Sequence, residues 1–141
     1  MSLYINNLPH VSSKLRFYLF ADDTNLYYES NDLKEIEKVV NKEMNKIFQW
    51  LCSNRLALNI SKTNFVIFHP FNKPVKEFIT LKINKKAIAE EPCVKYLGVL
   101  IDSTLSWKSQ VMSITKKLSR SISIMYKLRP FVNIKIMKCL L

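Results

Sequence analysis

Apolar residues recur at helical spacing in two stretches of the chain. Between 32 and 52, Leu33, Ile36, Val40, Met44, Ile47 and Leu51 follow one another at intervals of 3, 4, 4, 3 and 4. Such steps put side chains on one helix face, so this segment reads as an amphipathic helix packed on a sheet. Asp32 with Glu35 resembles a capping box, and Glu35 and Glu37 lie where the helix dipole favours negative charge. A second helix is expected from 103–106 onward. There Trp107, Val111, Ile114, Leu118, Ile122 and Met125 step by 4, 3, 4, 4 and 3. Its polar face carries Lys108, Lys116, Lys117 and Arg120. Its apolar stripe is expected to pack, so Ile114→Asp should bury an unpaired charge and hinder folding. Residues 131–141 read as a further short helix.

Other segments have strand character. Residues 15–20 and 24–29 read as a hairpin, and Tyr27 and Tyr28 suit a strand. Residues 56–60 lead into a polar turn at 61–64. Phe65-Val66-Ile67-Phe68 then reads as a strand stopped by His69-Pro70, and a loop follows over 70–77. Residues 79–83 alternate as a strand, Asn84-Lys85 is a turn, and 87–89 pair back. Residues 94–101 read as one strand, with Gly98 marking a bulge or a close backbone approach. Asn7-Leu8-Pro9 reads as a helix end, because proline cannot continue a helix. The pattern is that of an α+β protein.

The turn of the first hairpin holds the most informative residues. Asp22 and Asp23 lie side by side between two apolar strand segments. Asp is depleted in strands, and adjacent like charges repel. Asp is also common in turns, so a solvated turn is the bland reading. Clustered carboxylates instead suit hard cations such as Mg²⁺, and two-metal phosphoryl-transfer sites are built on them.

Composition narrows the choice. The 141 residues amount to about one domain, and 48% hydrophobic content suffices for a folded core. Residues 1–60 hold 7 Lys/Arg and 7 Asp/Glu, whereas 61–141 hold 15 and 4, so the whole net charge of +11 lies in the second part. No acidic residue follows Asp102. A basic half with interspersed aromatics fits a nucleic-acid partner. Trp50, Trp107, Tyr96 and Tyr126 could stack on bases, although both tryptophans lie beside apolar stripes and fit a core. Cys52, Cys93 and Cys139 lie far apart outside any CxxC pattern, which suggests reduced intracellular thiols. No signal peptide and no transmembrane run is visible, so no membrane partner is expected. The single glycine, Gly98, excludes glycine-rich phosphate loops. His10 and His69 are isolated.

In order and spacing, several blocks resemble the reverse transcriptase domain of non-LTR (LINE-type) retrotransposons. Leu19-Phe20-Ala21-Asp22-Asp23-Thr24 resembles the catalytic Asp-Asp hairpin of that family. Trp50-Leu51 followed by Asn54-Arg55-Leu56-Ala57-Leu58-Asn59-Ile60-Ser61-Lys62-Thr63 resembles the next block. Val94-Lys95-Tyr96-Leu97-Gly98-Val99-Leu100-Ile101-Asp102 with Leu105-Ser106-Trp107 resembles the primer grip leading into the thumb. Lys127-Leu128-Arg129 resembles the thumb, and Leu3-Tyr4-Ile5-Asn6-Asn7-Leu8-Pro9 the end of the palm helix. Phe20, where retroviral enzymes usually have Tyr, points the same way.

The resemblance implies an antiparallel palm-type sheet with a packed amphipathic helix, followed by a helical thumb start. Residues 1–103 would be partial palm with primer grip, and 104–141 the beginning of the thumb. It implies polymerisation of deoxynucleotides on an RNA template from a DNA primer, with two Mg²⁺ ions. Asp22 and Asp23 would be catalytic metal ligands, and Lys62 would protonate or neutralise the leaving group. Tyr96, Leu97 and Gly98 would hold the primer. Lys108, Lys116, Lys117, Arg120, Lys127 and Arg129 would track the nucleic-acid backbone. The family's earlier metal-binding aspartate strand, its nucleotide-pocket loop and its fingers have no counterpart here, and no acidic residue precedes Asp22. The chain is therefore expected to be a fragment inactive alone. The alternatives are a non-enzymatic nucleic-acid-binding remnant or an untranslated relic.

Overall fold

Five successive cross-strand pairs, from Arg16↔Tyr27 to Phe20↔Asp23, define an antiparallel hairpin of β1 (Arg16–Phe20) and β2 (Asp23–Tyr27). The structure is a computed structural model and describes residues 5–21, 23–75 and 77–132. It divides into two compact units, Met1–Phe65 with Lys73–Glu90, and Val66–Asn72 with Glu91–Leu141.

In the first unit a 3₁₀ turn, Leu8–Val11, precedes the hairpin. Pro9 thus opens a short helix rather than closing one, as its fixed φ and missing N–H allow at a first turn. Buried Ser12 then steers the chain into β1. Its hydroxyl oxygen accepts from Lys14 N at 3.3 Å and Leu15 N at 3.2 Å. Helix α1 (Leu33–Ser53) starts where the sequence indicates, with Asp32 accepting from Lys34 N at 2.9 Å. The reciprocal half of the capping box is replaced. Glu35 accepts from Ser30 Oγ, and Ser30 Oγ accepts from Asp32 N.

The alternation at 79–83 is visible as burial. Ile79, Leu81 and Ile83 are buried, and Thr80 and Lys82 are exposed. Only β4 (Lys82–Ile83) is a paired strand. It turns through Asn84 and Lys85, both at positive φ, into β5 (Lys86–Ala87). Asn41 ties α1 to this edge: its Nδ2 donates to Thr80 O at 3.0 Å and its Oδ1 accepts from Lys82 N at 2.6 Å. Glu37 Oε1 accepts from Thr80 N at 3.2 Å. One helix face therefore supplies the partners that a neighbouring strand would give. The short β3 (Asn64–Phe65) pairs in parallel with β6 (Ala89–Glu90).

Every buried apolar side chain among the described residues belongs to this unit: Leu8, Leu15, Met44, Ile47, Ile79, Leu81, Ile83 and Ile88. Glu43 is buried with them. Its Oε1 accepts from Lys46 Nζ at 2.8 Å, while no hydrogen bond of standard geometry reaches Oε2. Lys46 first, and Ser12 after it, hold the Glu43 carboxyl below its usual pKa against the effect of burial.

The second unit departs from expectation at Gly98. The apolar run 94–101 is a hairpin, β7 (Cys93–Tyr96) and β8 (Val99–Asp102), rather than one strand. Leu97 and Gly98 both have positive φ (46° and 86°), the requirement of a tight two-residue hairpin turn. Gly98 serves backbone conformation, because a Cβ there would meet nothing within 4 Å. Helix α2 (Lys108–Leu128) follows, and Gln110 Oε1 accepts from Leu100 N at 2.8 Å. Trp107 stands before the first turn at φ 61° and is half exposed, so it is not core. The α2 stripe is exposed as well, with Ile114 44% and Ile122 63% accessible. Polar Gln110 faces β8, and the apolar stripe does not act as the packing face.

The architecture is thus mixed α/β, with small antiparallel sheets and two long helices. In place of one continuous sheet the described strands form four two-stranded sheets. Four of the strands have only two residues, and Pro70, Pro74 and Pro92 in the connections cannot donate to a ladder. The segment 133–141, with Cys139, lies outside the described residues.

Candidate functional site

The first hairpin sets the position of the acidic pair. The register closes at Phe20↔Asp23, so the turn between the strands is two residues long. Ala21 takes the left-handed conformation, φ 52°, that such a turn demands. Asp23 is exposed as the first residue of β2. Asp22 lies outside the described residues. Exposed carboxylate oxygen at a constrained turn is a suitable donor for a hard cation. Among the described residues no group of three His, Cys, Asp or Glu stands together in a way that could hold a metal ion.

The opposite end of the hairpin is held by a polar triangle. Arg16 and Glu29 pair at 3.2 Å, Tyr27 OH donates to Glu29 Oε2 at 2.9 Å, and the Arg16 guanidinium lies 5.9 Å from the Tyr27 ring centre. The hydrogen bond to Glu29, and then its charge, raise the Tyr27 pKa. Tyr28 is raised by partial desolvation and then by Glu35.

Lys62 closes a 3₁₀ turn, Ile60–Lys62, with Thr63 between it and β3, and is exposed. No ion pair joins it to Asp23 among the described residues. Tyr96, Leu97 and Gly98 come together at the tip of the β7–β8 hairpin, with Leu97 and Gly98 exposed. Lys108, Lys116, Lys117, Arg120 and Lys127 are all exposed on α2, and Arg129 is exposed just beyond its end.

The sequence reading misses the residues that join β8 to α2. Asp102 Oδ1 accepts from Thr104 N at 3.2 Å, Thr104 Oγ1 at 2.7 Å and Ser106 N at 2.9 Å, and Oδ2 accepts from Ser106 Oγ at 3.1 Å. Led by the Ser106 amide and the Thr104 hydroxyl, these donors lower the Asp102 pKa from 3.8 to about 2. The spacing Asp-x-Thr-x-Ser before a helix was the available signal.

Over 108 residues the chain is 25% identical to the Retrovirus-related Pol polyprotein from type-1 retrotransposable element R1 2 of Nasonia vitripennis. Its origin is retroelement-related. The match covers 73% of this chain, which spans about a quarter (26%) of that protein's length. Neither a protein-family model nor a solved structure matches the chain. No helix among the described residues is long and apolar enough to cross a membrane.

Proposed function

We propose that the chain is part of an RNA-directed DNA polymerase, the reverse transcriptase of a non-LTR retrotransposon, and is inactive alone. The observation that carries this reading is the position of the Asp pair. A regular antiparallel hairpin sets Asp23 as the first residue after its turn, and Asp22 precedes it in sequence, in a chain similar to a retrotransposon Pol polyprotein. In this reading Asp22 and Asp23 hold magnesium in the intact polymerase. The bound cations would stabilise charge on the reacting phosphates there. This chain would contribute the Asp22-Asp23 pair, Lys62 beside the leaving group, and the 96–98 tip against the primer. Residues 1–103 would be partial palm and 104–141 the start of the thumb.

The basic residues of α2 favour a second reading, a non-enzymatic nucleic-acid-binding remnant. Five cations and no anion stand on that helix, and all five are exposed.

Primer extension on an RNA template separates the possibilities. The isolated chain is expected to incorporate no deoxynucleotide, because the Asp pair is too few carboxylates for two metal ions. Metal-dependent extension that Asp22→Ala abolishes would show a complete enzyme and overturn the fragment reading.

A further inference from the structure

Lysines also recur along α1, at intervals of four: Lys34, Lys38, Lys42 and Lys46. Side chains four apart are neighbours on a helix, and like charges so placed are unfavourable. Lys46 is neutralised by Glu43, 2.8 Å away. The first three are exposed, and among the described residues no ion pair holds them. The helix's other acids are engaged elsewhere. Glu35 accepts from Ser30 and Tyr28, and Glu37 from the Thr80 amide.

The neighbouring strand adds a fourth cation. Lys82 is bonded through its backbone N to Asn41 Oδ1, between Lys38 and Lys42 in sequence. Its side chain is exposed, while Leu81 and Ile83 on either side are buried. From Lys34 to Lys42 the helix rises about 12 Å. One nucleic-acid strand presents roughly three to four phosphates over that length.

We propose that Lys34, Lys38, Lys42 and Lys82 form a second nucleic-acid backbone surface, in addition to the lysines of α2. The proposal rests on the reading of this chain as a nucleic-acid-binding one. The surface recognises phosphodiester charge and reads no sequence. Net charge hides it, since residues 1–60 are neutral overall while their acids are turned to structural use.

The test is the salt dependence of binding to a fluorescently labelled RNA–DNA hybrid duplex, using the full chain. Each phosphate contact adds about 0.9 to the log–log slope. The triple variant K34Q/K38Q/K42Q, with its helix content checked by circular dichroism, should be shallower by up to about 2.7. A charge-matched control, K14Q/K73Q/K85Q, with all three lysines outside the proposed binding residues, should keep the slope of the unaltered chain. An unchanged slope in the triple variant, or an equal loss in the control, would overturn the surface. If K116Q/K117Q alone flattens the slope, the α2 reading stands and this one fails. No salt-dependent binding by the unaltered chain would remove both.

Discussion

Asp102 and Ser106 are joined twice: the Asp102 carboxylate accepts from the Ser106 backbone N–H at 2.9 Å and from its hydroxyl at 3.1 Å. Five residues, 103–107, separate the last strand of a hairpin from a 21-residue helix, and this carboxylate braces the connection. The connection is polar, local and dependent on ionised Asp102.

Acid should loosen that connection. The folded-state pKa of Asp102, about 2, lies below its ordinary 3.8. Its stabilising contribution is complete above the unfolded value and disappears as pH falls through the folded one, a window from about 4 to about 2. Protection of the Thr104 and Ser106 amides, measured against their intrinsic exchange rate at each pH, should fall across that window. In Asp102→Ala, which has no side-chain acceptor, that protection should be lost already at neutral pH and unchanged across the same range.

The two long apolar stripes should respond differently to substitution. Ile47 of the α1 stripe is buried, so Ile47→Ala should cost about 2–5 kcal/mol in urea unfolding. Ile114 is 44% exposed, so Ile114→Asp should change stability by only about 0.5 kcal/mol. A large loss at Ile114 would mean that the α2 stripe is covered in solution.

Asn41 stands in for a strand. Asn41→Ala removes one bond from Thr80 O and one to Lys82 N, and should cost about 1–3 kcal/mol. Exchange protection should fall first at Lys82, the amide that loses its acceptor.

Much of this was legible from periodicity. The stripe from Leu33 to Leu51 located α1 to within a few residues, and Asp32 marked its start. The apolar runs on either side of Asp22-Asp23 located the hairpin. Three features were not legible. Gly98 between apolar residues suits a bulge as well as a turn, and only the positive φ of Leu97 beside it decides. Parallel pairing of Asn64–Phe65 with Ala89–Glu90 depends on chain return, which two-residue strands do not encode. The α2 stripe has the period of a packed face, yet the bond that seats the helix comes from Gln110. Within the candidate site, Asp23 opens β2 directly after the hairpin turn, and the six basic residues are exposed. Asp102 was overlooked because its role is local hydrogen bonding, which leaves no periodic trace.

The proposed role in handling nucleic acid, as part of a retroelement polymerase, is tested most directly by the chain's affinity for an RNA–DNA hybrid across a salt series. With about four phosphate contacts from α2, the log–log slope should be at least as steep as about −3.6, and K116Q/K117Q should make it shallower by up to about two units. Binding that is insensitive to salt, or unchanged by that double replacement, would contradict the account and leave the basic face merely solvated.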